Sequence, residues 1–231
     1  MVAPLLDDGV GIVTCAYRGV ARKGLWSLLG SMYINEWFMP SVRVAALAGT
    51  RSFAFGATIA IRRCVLARIG GFPCIVNQLA DDYRLGEATR RLGLRTVLSD
   101  VEVDTYVTES SFRELIRHEV RWLRTIRALR PSGYSLSFIT FGVPLTALQA
   151  LLMDGSAPAV TLFAITLGAR LLLHLRARPP GRPVSHLLAF PVRDVLSLGL
   201  WSWSFAANFV VWRGDRYRVT ADGSFQFVER V

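Results

Sequence analysis

Lysine is almost absent from this chain: Lys23 stands alone in a total of 27 Lys and Arg. Cysteine is nearly as scarce, with Cys15, Cys64 and Cys74 the only three. An odd three in a long chain excludes a secreted disulfide scaffold and fits reduced thiols facing the cytosol. Charge of either sign is thin at 19% of residues, while hydrophobic residues reach 52% and mean hydropathy is +0.37. Intrinsic disorder needs the opposite balance and is excluded. These averages point instead to membrane-crossing segments. Acidic residues number only 17, leaving a net charge of +10 over 231 residues. Nucleic acid is one partner for a basic protein. Here, however, the arginines adjoin apolar stretches, a placement that suits anionic headgroups on the cytoplasmic side of a bilayer. No nucleic acid is expected.

The composition changes near Tyr134. Positions 136–153 carry no charge and would form a helix of about 27 Å, enough to cross a hydrocarbon core. Positions 157–175 form a second run, interrupted only by Arg170 and His174, and 187–212 a third that contains Arg193 and Asp194. Asp154, Gly155 and Ser156 make a loop without basic residues, whereas 176–183 is basic and rich in breakers. The positive-inside rule then puts 176–183 and 1–134 in the cytoplasm. A full third crossing would leave a basic tail outside, so that run is either re-entrant or interfacial, or an exception to the rule. Arg193 and Asp194 could pair with each other there. The expected division is 1–110 as a catalytic portion, 111–134 as an amphipathic interfacial helix, 135–212 as a membrane region of two or three spans, and 213–231 as a basic tail. The opening residues are too short an apolar stretch for a secretory signal before Asp7 and Asp8.

Within 1–134 the pattern alternates between strands and helices, an α/β class. Positions 11–17 read as a buried strand. Positions 24–48 read as two core helices interrupted by Pro40, or as a membrane-skimming pair. Positions 53–61 read as a strand with Gly56 at its middle, where a glycine often marks a close approach. A helix from Asp81 and Asp82 to a Gly93 cap follows, then strands at 94–98 and 101–107. Ser111 and Glu114 make a capping box that opens a helix ending before Pro131. On it, Arg113, Arg117, Arg121 and Arg124 share a face, which is either headgroup-facing or a clamp for a diphosphate. His118 and Trp122 are neighbours one turn apart. Taken alone, Asp81 and Asp82 could simply cap their helix.

The ordered set of Gly56–Arg63, Gly70-Gly71-Phe72, Ala80-Asp81-Asp82-Tyr83 and His118-Glu119-Val120-Arg121-Trp122 resembles family 2 glycosyltransferases of the processive type. It is similar to their ceramide glucosyltransferase-like relatives, and most of all to bacterial hopanoid-associated glycosyltransferases. The resemblance implies a partial GT-A nucleotide-sugar fold followed by C-terminal transmembrane helices. It also implies a bacterial inner-membrane, multi-pass enzyme with its catalytic part in the cytoplasm. The activity implied is inverting transfer of a sugar from a nucleotide-sugar donor to a lipid hydroxyl, hopanoid or ceramide-like. Such a reaction needs a base for the acceptor proton and positive charge for the leaving diphosphate. The resemblance makes Asp82 the base, kept ionised by the helix dipole, and puts Asp81 beside it. Gly56, Arg121 and Trp122 join the substrate site, and His118 stands where the family has Gln or Arg. A divalent cation, Mg or Mn, is implied as well. Its Asp-x-Asp ligands are not found before the first core strand, so the chain reads as the C-terminal portion of an enzyme, inactive alone. Two other classes stay open: a lipid-surface binding remnant without chemistry, and a multi-span transporter or scaffold.

Overall fold

The computed structural model describes residues 1–48, 54–177, 189–212, 214–220 and 224–230. Most of the basic loop at 176–183 lies outside the described residues, as do Phe53 and the first two positions of the third apolar run. The fold is mixed α/β. Its first sheet has the order β2-β1-β3, with β1 at Val10–Ala21, β2 at Ile59–Ile61 and β3 at Arg95–Val107. β1 pairs antiparallel with β2 and parallel with β3, and its first half is buried throughout, as a central strand must be.

β3 is one strand where the sequence reads as two. The register slips between Cys15 and Ala16, which pair with Ser99 and Glu102. A bulge therefore absorbs the polar interruption that resembles a turn in the sequence. β2 is shorter than expected, because Thr58 closes a turn onto the Phe55 carbonyl at 3.1 Å and Gly56 sits inside that turn.

Two glycines of β1 let helices lie directly on the strand. A Cβ at Gly11 would come 2.3 Å from Thr89 Cγ2, and one at Gly19 would come 3.0 Å from Ser31 Cα. Thr89 belongs to α4 (Asp81–Arg91), and Ser31 to α1 (Gly24–Tyr33). Gly11→Ala should therefore cost about 1–3 kcal/mol by overpacking. Thr89→Ser removes the opposing methyl, so the double variant should lose less than the sum of the singles in chemical unfolding. Additive losses would contradict that contact.

α1 does not stop at Pro40. It runs through a π turn, Ile34–Phe38, into α2 (Met39–Leu47), with Pro40 in the first turn of α2. A proline has no N–H to give to the preceding turn, and the wider turn accommodates that lack. After α3 (Arg63–Arg68), Gly70 and Gly71 close the helix with N–H bonds to Ala67 and Leu66. Gly93 does the same for α4 with a φ of 77°.

The Ser111 hydroxyl caps α5 (Phe112–Leu129) by accepting the Glu114 N–H at 3.2 Å. The Glu114 carboxylate turns to Ser110 rather than to Ser111. Beyond α5, the charge-free run at 136–153 is not a straight helix. It contains the end of α6 (Pro131–Leu136), one 3-10 turn and α7 (Gly142–Leu152), bent by 61° at a break that includes Phe141. Pro144 cannot donate into the preceding turn, so one straight helix cannot run through it. A tight turn with Asp154 and Gly155 at positive φ leads to α8 (Ala157–Ala177). Among the described residues α8 is the one helix that is long and apolar enough to cross a membrane, and little of it is buried.

The third run divides in two. α9 (Ala189–Ser204) packs on α5 and α1, and Phe209–Trp212 is already β4. β4 pairs antiparallel with β5 (Asp215–Val219), and β5 with β6 (Phe225–Arg230). The expected basic tail thus supplies two strands of a three-stranded sheet. Its arginines alternate with Tyr217, Val219 and other apolar residues, a period-2 pattern that a charge count overlooks. Arg193 and Asp194 do not pair with each other. Adjacent residues on a helix point about 100° apart, so Arg193 turns to Glu119 of α5 and Asp194 to Arg170 of α8.

Candidate active site

Thr14 of β1 positions the site. Its buried hydroxyl accepts the Phe55 N–H at 2.8 Å and donates to the Thr58 carbonyl at 3.0 Å, which fixes the turn that carries Gly56. The Gly56 N–H then donates to Asp82 Oδ2 at 2.8 Å. A side chain at Gly56 would place its Cβ 3.3 Å from that oxygen, so the close approach read from the sequence is an approach to Asp82.

Asp82 lies half-buried in the first turn of α4. Its Oδ1 accepts the Tyr83 N–H at 2.7 Å, and Asp81 Oδ1 accepts the Asp82 N–H at 2.9 Å. Both carboxylates thus accept N–H groups of the first turn, where the helix dipole favours them, while Ala80 at the N-cap itself offers no side chain to do so. Asp82 differs from its exposed neighbour in also reaching across to another element. Its acidity runs opposite to the expectation from the helix dipole. Burial pushes the Asp82 carboxyl up and outweighs the N–H bonds from Gly56 and Tyr83, and the Asp81 charge adds to the rise. A raised carboxylate is a stronger base.

Tyr17 faces this carboxylate, and burial together with the Asp82 charge pushes its phenol up. Phe55 and Phe38 pack against Tyr17 with ring centroids 5.9 and 5.8 Å away. The aromatic wall continues from Phe38 to Trp122 at 6.4 Å and from Trp122 to Tyr33 at 5.8 Å. Arg121, on α5, is half-buried, and that burial lowers its pKa while the charge of Asp81 works the other way. It makes no ion pair among the described residues.

Gly56, Asp81, Asp82, Arg121 and Trp122 therefore belong to one neighbourhood. His118 is placed at its flank: its ring meets Trp122 edge-on at 4.3 Å, and its Nδ1 bonds to Glu109. Burial alone would raise Glu109, but His118 and backbone N–H groups hold it below the usual carboxylate range. Glu109, Tyr17 and Phe38 escape sequence reasoning. They come from the loop after β3, from β1 and from the π turn, and no local pattern joins them. Among the described residues no group of three His, Cys, Asp or Glu side chains could hold a metal ion.

The neighbourhood thus holds a half-buried carboxylate of raised basicity, an aromatic wall and a guanidinium with no ion pair among the described residues. The chain belongs to glycosyl transferase family 21, whose model matches residues 1–225. No solved structure matches it.

A base at Asp82 would have to be ionised, so on that assignment activity should fall as pH drops through the Asp82 pKa. That acid limb should lie above the usual carboxylate range, because burial raises the group. A rate profile flat down to the ordinary aspartate range would remove Asp82 from the base role.

Proposed function

We propose that the protein is a membrane-bound inverting glycosyltransferase that moves a sugar from a nucleotide-sugar donor to a lipid hydroxyl. The observation that carries this reading is the Gly56–Asp82 contact beside Arg121 and Trp122. In it, Asp82 takes the proton from the acceptor hydroxyl as the oxygen attacks the anomeric carbon and the diphosphate departs. Trp122 and Phe38 face the acceptor, and Arg121 supplies positive charge toward the leaving group. The acceptor is hopanoid or ceramide-like. The fold is a GT-A portion, and the reading covers the base and the acceptor side. The donor's cation is left to ligands that the described residues do not supply.

Membrane attachment is supported by α8, and by Leu148, Leu151 and Leu152 on α7, which all stay exposed. The catalytic part then faces the cytoplasm of a bacterial inner membrane. A cysteine placed at Ser156 should react with an impermeant thiol reagent in intact cells, and the exposed native Cys64 and Cys74 should not. The reverse pattern would overturn the topology.

The test of function is glycolipid formation in membranes that contain the native protein, with labelled nucleotide sugars and extracted lipids. Arg121→Lys, installed in the native gene, keeps the charge but loses the two-pronged donor. It should lower transfer by about tenfold or more, the scale of one charge-assisted hydrogen bond. Full activity in that variant, or label appearing only in protein or water-soluble products, would refute the reading.

A further inference from the structure

Arg121 also lines a second feature, whose other residues have no part in the proposed sugar transfer. A cleft of about 690 Å³ opens between α5, the end of α9 and the C-terminal sheet. Five arginines line it, Arg117, Arg121, Arg124, Arg216 and Arg230, against the single carboxylate of Glu229. Glu229 is already held by Arg216 at 2.8 Å. Arg117 is exposed and has no ion-pair or hydrogen-bond partner among the described residues. The Nε of Arg124 is buried without a partner, although its Nη1 donates to the Phe209 carbonyl. Arg230 pairs with Asp215 at 3.6 Å, whereas burial and the charges of Arg127 and Arg216 lower the Arg124 pKa. Arg117, Arg121 and Arg124 bring to the cleft positive charge that no ion pair among the described residues neutralises.

The floor is apolar. Trp203, Phe209, Val210 and Val211 form it, and Trp203 is exposed. Trp203 also ends a stripe on the open face of α9. Val192, Val195 and Trp203 are 58, 63 and 64% exposed, and Gly199 between them has open space around it. Their spacing puts all four on one side of the helix. The opposite side of α9 carries Arg193, Ser197, Leu200 and Ser204 into the protein. An apolar track thus leads into a pocket of guanidinium groups.

We propose that this cleft binds the phosphate headgroup of an anionic phospholipid, with an acyl chain lying along the Val192–Val195–Gly199–Trp203 face of α9. Guanidinium groups suit phosphate oxygens geometrically, and a free nucleotide or inorganic anion would have no use for the track. The site stands whether or not the protein transfers sugar, since Arg117, Arg124 and Arg216 lie outside the residues assigned to that reaction.

The test uses the full chain in neutral detergent and native mass spectrometry, with dioctanoyl phosphatidylglycerol, dioctanoyl phosphatidylcholine and inorganic pyrophosphate as probes. Phosphatidylglycerol should be retained about tenfold more tightly than phosphatidylcholine, the scale of one charge-assisted bond. Arg117→Gln should remove most of that preference without affecting folding, because Arg117 holds nothing else in place. Arg117→Lys should restore part of it, and Trp203→Ala should weaken both lipids. Arg113→Gln, on the same helix but outside the cleft, should change nothing. Equal retention of the two lipids, or an unchanged preference in Arg117→Gln, would overturn the proposal. Displacement of phosphatidylglycerol by equimolar pyrophosphate would overturn the lipid assignment in favour of a free anion.

Discussion

Asp82→Asn, introduced into the native gene, should lower sugar transfer by about 10²–10⁴-fold while the protein still folds and accumulates. Asparagine keeps the shape and one acceptor oxygen, so either the Gly56 or the Tyr83 N–H can still be met. What disappears is the proton acceptor. The sign of the stability effect is a separate check. The Asp82 carboxyl is raised in the folded protein, so at neutral pH the unfolded chain ionises it more readily, and burial of the charge works against the fold. Its contribution to stability improves as pH falls through the folded pKa. A neutral amide removes that burden, and the melting temperature should not fall by more than about 4 °C, the scale of one lost hydrogen bond at this size. Asp81→Asn should cost far less activity, because Asp81 is exposed and makes no contact with the Gly56 turn. Near-normal turnover in Asp82→Asn, or loss only through unfolding, would return both residues to helix capping.

The second large effect is structural. Arg193→Met should destabilise the protein by about 3–5 kcal/mol, because it leaves the Glu119 carboxylate buried without its partner. The two side chains are 2 and 3% exposed and meet through two bonds of 2.7 and 2.6 Å. Arg193 also reaches the Leu29 carbonyl and the Ser197 hydroxyl, and lies over the Tyr33 ring at 5.3 Å. One side chain therefore joins α9 to α5 and α1. Glu119→Leu combined with Arg193→Met should recover most of the loss, since an apolar pair of similar volume carries no desolvation cost. Thermal unfolding of the two singles and the double decides it. Additive losses would show that the ion pair is not what couples these helices.

Local chemistry made much of this legible in advance. The Ser111 cap, the glycines that end α3 and α4, and the placing of Asp81 and Asp82 in a first turn all depend on neighbours within a few residues. The structure agrees with each of them. Readings that failed needed partners far along the chain. Arg193 looked paired to Asp194 because sequence shows adjacency, whereas a helix separates adjacent side chains in direction. β3 looked like two strands because its bulge mimics a turn. The strands within the basic tail escape a charge count, because Arg216 and Arg218 alternate with Tyr217 and Val219, and only pairing with β4 makes that a sheet. Glu109 beside His118 and Tyr17 beside Asp82 could not be read at all. Each rests on which strand end faces which helix.

The π turn ties two distant requirements to a single choice of phase. Glu36 within it bonds to His174 and pairs with Arg170, both on α8, at 2.8 and 2.7 Å. Two residues later Phe38 stands in the wall beside Tyr17 and Trp122. A π turn carries about one residue more than an α turn, and each residue advances a helix by about 100°. A chain one residue shorter here would lose the wider turn and rotate everything after it by about 100°. It could then keep its grip on α8 or its aromatic face toward the carboxylate, but the two directions would no longer coincide.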